Sequence, residues 1–237
     1  MQLKTQTAVI TGASTGIGRA IALAFAQQGA NLILHAKSNQ DQLSETVALV
    51  QEYGANCTTY LADLTCPESR ENFVQAVLAS GLINIWVNNA GADILTNVNS
   101  DLNFSEKLQL LWEMDVQGTI EVCRLIAEAF TETGKRANAV ILNMGWDQAE
   151  TGQSGDSGQL FGTTKAAVIG YSRSLARTLA PHVRVNCLAP GWIQTAWGEQ
   201  APSHWDKRAR RESLMQRWGR PEDVANAAVF AAAPTSS

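Results

Sequence analysis

Two stretches of this sequence hold residue types whose spacing can do chemistry. In "GQLFGTTKAA", residues 158–167, Lys165 follows the aromatic Phe161 by four positions. On a helix that spacing puts both side chains on one face. The lysine offers a cation and N–H donors, but a phenylalanine has no hydroxyl and can neither give nor take a proton. In "TGASTGIG", residues 11–18, Gly12, Gly16 and Gly18 follow an apolar β-branched run and open an amphipathic one. Such glycines permit a tight turn, close approach of backbone to a pyrophosphate, and close helix–strand packing. The helix N-terminus adds N–H groups and a favourable dipole. A strand before the glycines and a helix after them is the context a dinucleotide site requires.

The elements that must position these residues read clearly. Apolar runs at 7–11, 31–35, 57–63, 83–89, 138–143 and 183–189 alternate with amphipathic stretches. The latter run from Gly16 to Gln28, through Leu43, Val47 and Val50, from "TCPES" with Pro67 in its first turn, and from Phe104 to Glu132. A further helix carries Lys165. Six strands separated by helices, each nearly continuous in apolar residues, predict a parallel sheet covered on both faces. Right-handed crossovers make this a single doubly wound α/β Rossmann-type domain over 1–237, strand order 3-2-1-4-5-6. The long loops, 144–157 and the region after Gly191, then fall at the carboxyl ends of strands, where ligands bind.

The second predicted strand ends in "LHAKS". An acid there would accept from an adenosine ribose hydroxyl; Lys37 instead suits a 2′-phosphate, with Ser14 as a further donor, so NADP(H) is favoured over NAD(H). Composition excludes other classes. Four scattered cysteines (Cys57, Cys66, Cys123, Cys187) without a C-x-x-C point to a reducing, cytoplasmic setting, with neither a disulfide framework nor a metal site. A net charge of −4 gives no general attraction to nucleic acid. The basic cluster "DKRARRE" at 206–212 is flanked by acids and reads as a solvated helix face. No apolar run approaches the length of a membrane span, and the N-terminus enters a strand without a leader pattern.

Taken together, "TGASTGIG", "ADL" with Asp63, "NNAG" at 88–91, the Lys165 helix, "VRVNCLAPGWIQTAW" at 183–197 and "RWGRPEDVA" at 217–225 resemble the short-chain dehydrogenase/reductase family over nearly the whole chain. The resemblance implies a nicotinamide cofactor and a small-molecule substrate. The cofactor would be held by Gly12, Ser14, Thr15, Gly16, Ile17, Gly18, Lys37, Asp63, Leu64, Asn89, Ala90, Gly91, Lys165, Pro190, Gly191, Ile193 and Thr195. It also implies a homodimer or homotetramer paired through the helices at 104–132 and 158–179.

The family's catalytic set does not carry over. Its proton-donating Tyr falls on Phe161, its Ser on Trp146 (or Asp147 with a short insertion), and its Asn on Asp115 in "MDVQG". Tyr171, six residues after Lys165, lies on another side of the helix. Relatives continue past "VFAAAPTSS" into a last edge strand, so the sheet is expected to lack it. Two readings follow. An enzyme would take its proton from a carboxylate among Asp93, Asp115 and Asp147, with Asp147 the first choice and Lys165 on the nicotinamide ribose. It would reduce a C=N, a C=C or an unusual carbonyl, with Trp146, Trp192 and Trp197 stacking on a flat heterocycle. Alternatively, the protein is a catalytically silent NADP-binding sensor or subunit.

Overall fold

The computed structural model describes residues 1–132, 139–195, 198 and 203–236. Its centre is one six-stranded parallel sheet: β1 Thr7–Ile10, β2 Asn31–Ala36, β3 Cys57–Leu61, β4 Ile85–Asn88, β5 Ala139–Met144 and β6 Val183–Leu188. The order is β3-β2-β1-β4-β5-β6, as the alternation of elements implied. Every residue of β4 and β5 is buried, because helices cover both faces of a parallel sheet.

Successive side chains of a strand point to opposite faces, and this divides the core in two. Ala8 and Ile10 of β1 join Leu34, Ile21, Phe25, Ala228 and Val229 on one face. These come from α1 (Gly16–Gln27) and α9 (Pro221–Ala232), with Leu43 and Val50 from α2 (Gln40–Gln51). Val9 points the other way and joins Trp86, Phe73, Ile126, Ile141 and Leu175. This face is roofed by α3 (Pro67–Ala79), α5 (Thr119–Glu132) and α7 (Asp156–Leu179). Pro67 stands in the first turn of α3, where its missing N–H has no partner to lose.

Two segments differ from the sequence expectation, and a third, the basic cluster, is a helix as expected. The helix expected over 104–132 is interrupted: α4 (Phe104–Leu111), capped reciprocally by Asn103 and Glu106, runs into a π-helical stretch, Trp112–Gly118, and only then into α5. The wider π turn carries Asp115, which side-chain periodicity alone does not reveal. The expected loop at 144–157 contains a short helix, α6 (Gln148–Thr151), and α7 begins inside it at Asp156. The basic cluster lies on α8 (Ser203–Glu212), where Arg208 pairs with Glu212 and Arg210 with Asp206, each one turn apart. No helix among the described residues is long and apolar enough to cross a membrane.

Candidate active site

The turn between β1 and α1 is built from backbone. Gly12 and Gly16 hold positive φ (66° and 55°), the region that disfavours side chains. A Cβ on Gly18 would stand 2.1 Å from the Gly12 carbonyl oxygen. Thr15 begins α1 without a side-chain cap, and the first turn contains no acid. The N–H groups of that turn therefore have no side-chain partner to compete with an anion. From β4 the loop is pinned down: Asn89 Nδ2 donates to the carbonyls of Thr11 (2.9 Å) and Gly12 (3.0 Å), and the N–H groups of Asn89 and Ala90 both donate to Thr11 Oγ1. From β2, His35 accepts the Gly12 N–H on Nδ1 (3.4 Å) and meets the Ala62 carbonyl through Nε2 (2.9 Å). An Nε2–H tautomer satisfies both, and burial pushes the imidazole down to about 4, keeping it neutral.

After the end of β2, Lys37 forms an ion pair with Asp63 (2.8 Å), joining two residues of the expected cofactor set. Partial burial opposes the charged form of Asp63. Even so, Lys37 and the hydroxyl and N–H of Thr65 hold it below the usual carboxylate range. The Leu64 side chain is buried in the core and its carbonyl accepts from Arg70.

Lys165 reaches from α7 to the carboxyl end of β5. Its Nζ donates to the Met144 carbonyl (3.2 Å) and pairs with Asp115 Oδ2 (2.9 Å). The Asp115 side chain is 2% exposed, and its Oδ1 accepts the Ala92 N–H (2.8 Å). A Cβ on Gly91 would lie 3.3 Å from the same carboxylate. Three elements thus converge on one buried ion pair.

In front of it opens a cavity of about 290 Å³. Ile17, Asn89, Lys165, Pro190, Gly191, Ile193 and Thr195 line it, together with five aromatic residues, Trp146, Phe161, Trp192, Trp205 and Trp218. Trp146 and Phe161 meet edge to face at 6.3 Å. Trp192 packs against Trp205 (5.7 Å) and Trp218 (5.6 Å), and Arg208 lies over the Trp205 ring. The indole N–H groups are anchored, Trp192 to Glu212 and Trp218 to Asp206. A parallel bridge between Ile193 and Gly219 clips the segment after β6 to the stretch before α9.

The acids expected beside the nicotinamide are placed differently from one another. Asp147 lines a second cavity, with Arg173, Arg177 and Cys187. Its Oδ2 sits under Gly191, where a Cβ would be 2.6 Å away. Partial burial there, reinforced by Glu212, raises its carboxyl above the ordinary value against local backbone hydrogen bonds. Asp93 accepts the N–H groups of Leu95 and Thr96 and closes a turn. Tyr171 donates to the Ile120 carbonyl (3.3 Å), away from Lys165, and burial pushes its phenol up to about 12. Trp197 lies outside the described residues. Trp205, Trp218, Leu95, Gln153 and Ser157 line the cavity without having been singled out in the sequence. Gln153 Nε2 is buried and makes no hydrogen bond among the described residues.

The chain matches known proteins over nearly its whole length. The family profile described as Enoyl-(Acyl carrier protein) reductase matches residues 12–237. The chain is 35% identical to an uncharacterized oxidoreductase of Mycobacterium tuberculosis, covering 100% of this chain and 88% of the relative. It is 31% identical to the L-rhamnose 1-dehydrogenase (NADP(+)) of Thermoplasma acidophilum, covering 97% and 90%. A short chain dehydrogenase from Burkholderia cenocepacia, solved in complex with NADP, superposes with a TM-score of 0.85 at 27% identity, covering 100% and 94%. The chain belongs to the short-chain dehydrogenase/reductase family of NAD(P)-dependent oxidoreductases.

Proposed function

We propose that this protein is an NADP(H)-dependent reductase of a flat, largely apolar substrate bearing a C=N, a C=C or an unusual carbonyl group, and that its proton donor is not a phenol. The observation that carries this reading is the cavity lining: Asn89, Lys165 and Thr195, three residues of the expected cofactor set, share one cavity with five aromatic rings. Gly12, Thr15, Gly16, Ile17 and Gly18 would hold the pyrophosphate, and Ser14 would join Lys37 at the 2′-phosphate. Asp63, Leu64, Ala90 and Gly91 would shape the adenosine and nicotinamide clefts, while Pro190, Gly191, Ile193 and Thr195 would border the nicotinamide. Once bound, the dinucleotide supplies hydride, chemistry that belongs to the cofactor; the chain binds, orients and protonates.

Preference for the 2′-phosphate rests on Lys37. The exposed ammonium stands where an acid would select the free ribose, and its pairing with Asp63 keeps it at that edge. Relatives solved with or named for NADP support the same choice. Four thiols without a disulfide support a cytoplasmic protein. Exposed Phe104 and Trp112 on the α4–π segment support a homodimer or homotetramer formed through that helix and α7.

Fluorescence titration with NADPH and NADH, followed by NADPH oxidation against ketones, imines and dihydropterins, tests the reading. Tighter binding of NADH would overturn the Lys37 argument. The Phe161→Tyr, Trp146→Ser double substitution is expected to gain ketone reduction by about 10²–10⁴-fold, the usual worth of a positioned acid. The second reading, a silent NADP-binding subunit, is favoured by the Trp146–Phe161 ring contact, which fills the place of the hydroxyl pair with apolar surface. NADPH binding without turnover of any compound class would select it.

A further inference from the structure

We propose that Lys165 is itself the proton donor of the reaction, with Asp115 positioning it. The proposal rests on the reductase reading above and supplies the donor which that reading lacks. Among the described residues that line the cavity, Lys165 is the one side chain that titrates. The other candidates are committed elsewhere. Asp147 borders the second cavity, Asp93 closes a turn, and Tyr171 donates to the Ile120 carbonyl. Both oxygens of Asp115 are engaged, one by the Ala92 N–H and one by the lysine, so the carboxylate is anchored facing its partner.

An alkylammonium has three N–H groups. Asp115 and the Met144 carbonyl take two, which leaves one for the cavity that Lys165 walls. As chemical classes, an alkylammonium and a phenol are acids of nearly equal strength. The lysine can therefore do what Phe161 cannot. With the dinucleotide bound, its reduced nicotinamide would supply hydride to the substrate carbon, and the π pair would move to oxygen or nitrogen. That atom forms a bond to hydrogen as an Nζ–H bond of Lys165 breaks, leaving a neutral amine. The anion formed on the substrate is far more basic than an amine, so the proton moves downhill. A neutral amine then faces the buried Asp115 carboxylate, which has lost its counter-ion. Burial of an unpaired charge is costly, so the amine takes back a proton from water at the cavity mouth and the cycle closes. Asp115 thus reloads the donor, while Phe161 and Trp146 keep competing water from the transfer.

The test uses the full chain with NADPH and a cyclic aryl imine, 3,4-dihydroisoquinoline, alongside an aryl ketone. Lys165→Arg keeps the positive charge beside Asp115 but is too weak an acid to give up its proton. It is expected to bind NADPH within about threefold of wild type by fluorescence, yet to lose about 10²–10³ in kcat, the range of a positioned acid. The Lys165→Ala, Asp115→Asn double variant avoids the unpaired carboxylate. Added alkylammonium ions should restore its turnover, faster with more acidic amines, while its NADPH affinity stays constant. Three results would overturn the proposal: wild-type kcat in Lys165→Arg, an amine that restores NADPH affinity but not kcat, or loss of the acid-dependent step in Asp147→Asn with Lys165→Arg intact. Wild-type protein that binds NADPH and reduces neither probe nor any compound of the wider screen defeats the reductase reading itself. That outcome needs no variant and is distinct from failure of the lysine assignment.

Discussion

The turn that would carry the phosphates and the aromatic wall of the cavity are made in opposite ways. The turn is backbone: two glycines at positive φ, a third pressed against the Gly12 carbonyl, and N–H groups at the start of α1. Its supports, Thr11, His35 and Asn89, come from three adjacent strand ends and bond main-chain atoms. The wall is side chain: indoles from the loop after β5, the loop after β6, α8 and the stretch before α9, joined by ring contacts and indole hydrogen bonds. Backbone recognition tolerates almost no change in residue type, whereas a wall of side chains can be rebuilt one substitution at a time. Phe161 and Trp146 belong to the aromatic lining, and Lys165 lines the same cavity.

Substitutions should separate the regions, the largest effect falling on the turn. Gly18→Ala drives a Cβ into the Gly12 carbonyl, a backbone atom that cannot step aside. A loss of more than about 3 kcal/mol in denaturant unfolding, with NADPH binding abolished, is expected. Gly170→Ala, with nothing within 4 Å on exposed α7, should instead stabilise by about 0.5–1 kcal/mol. Equal effects of the two would break the comparison.

Lys165→Met leaves the Asp115 carboxylate buried without its counter-ion. The expected cost is about 3 kcal/mol in chemical denaturation, and adding Asp115→Asn should recover most of it. No recovery in the double variant would show that the lysine supports the fold through its stem rather than its charge.

The turn should also respond to acid through His35. The folded-state value of His35 lies at about 4, below its ordinary value of 6.5, so the unfolded chain binds the proton more readily between the two. Its contribution is fully present above pH 6.5 and is lost as pH falls toward 4, on the order of 2–3 kcal/mol in all. Melting curves across that window are expected to show the loss, and His35→Gln should flatten it. A wild-type curve that is already flat would remove His35 from the support of Gly12.

The smallest effect is expected in the wall. Trp218→Phe removes one indole hydrogen bond to Asp206 and keeps the ring, costing about 1 kcal/mol by thermal denaturation. NADPH affinity should stay within twofold while KM for an aromatic substrate rises severalfold. A matching drop in NADPH affinity would mean that the two regions are not separable.

What was legible in the sequence follows the same division. Strand order, both core faces and the glycine turn could be read because each depends on local period or on residues close in sequence: Val9 against Ala8 and Ile10, Gly12 against Gly18. The i,i+4 relation of Phe161 and Lys165 was local too. Asp115 was visible as a changed residue, but its pairing with Lys165 was not, since a π turn swings it inward and fifty positions of chain separate the partners. Trp146 stands between two cavities and lines both, whereas Asp147, its neighbour in sequence, borders only the second, a distinction that sequence adjacency cannot make. Trp205 and Trp218 had no pattern to betray them, and their place in the wall exists only once α8 folds back over the carboxyl end of the sheet. The sequence alone determined that a dinucleotide-type fold is present and that a phenylalanine stands four residues before Lys165, because backbone geometry and residue identity are written locally. Which charged group lines the cavity was decided by tertiary structure, because ion pairs and cavity walls are made by residues that only packing brings together.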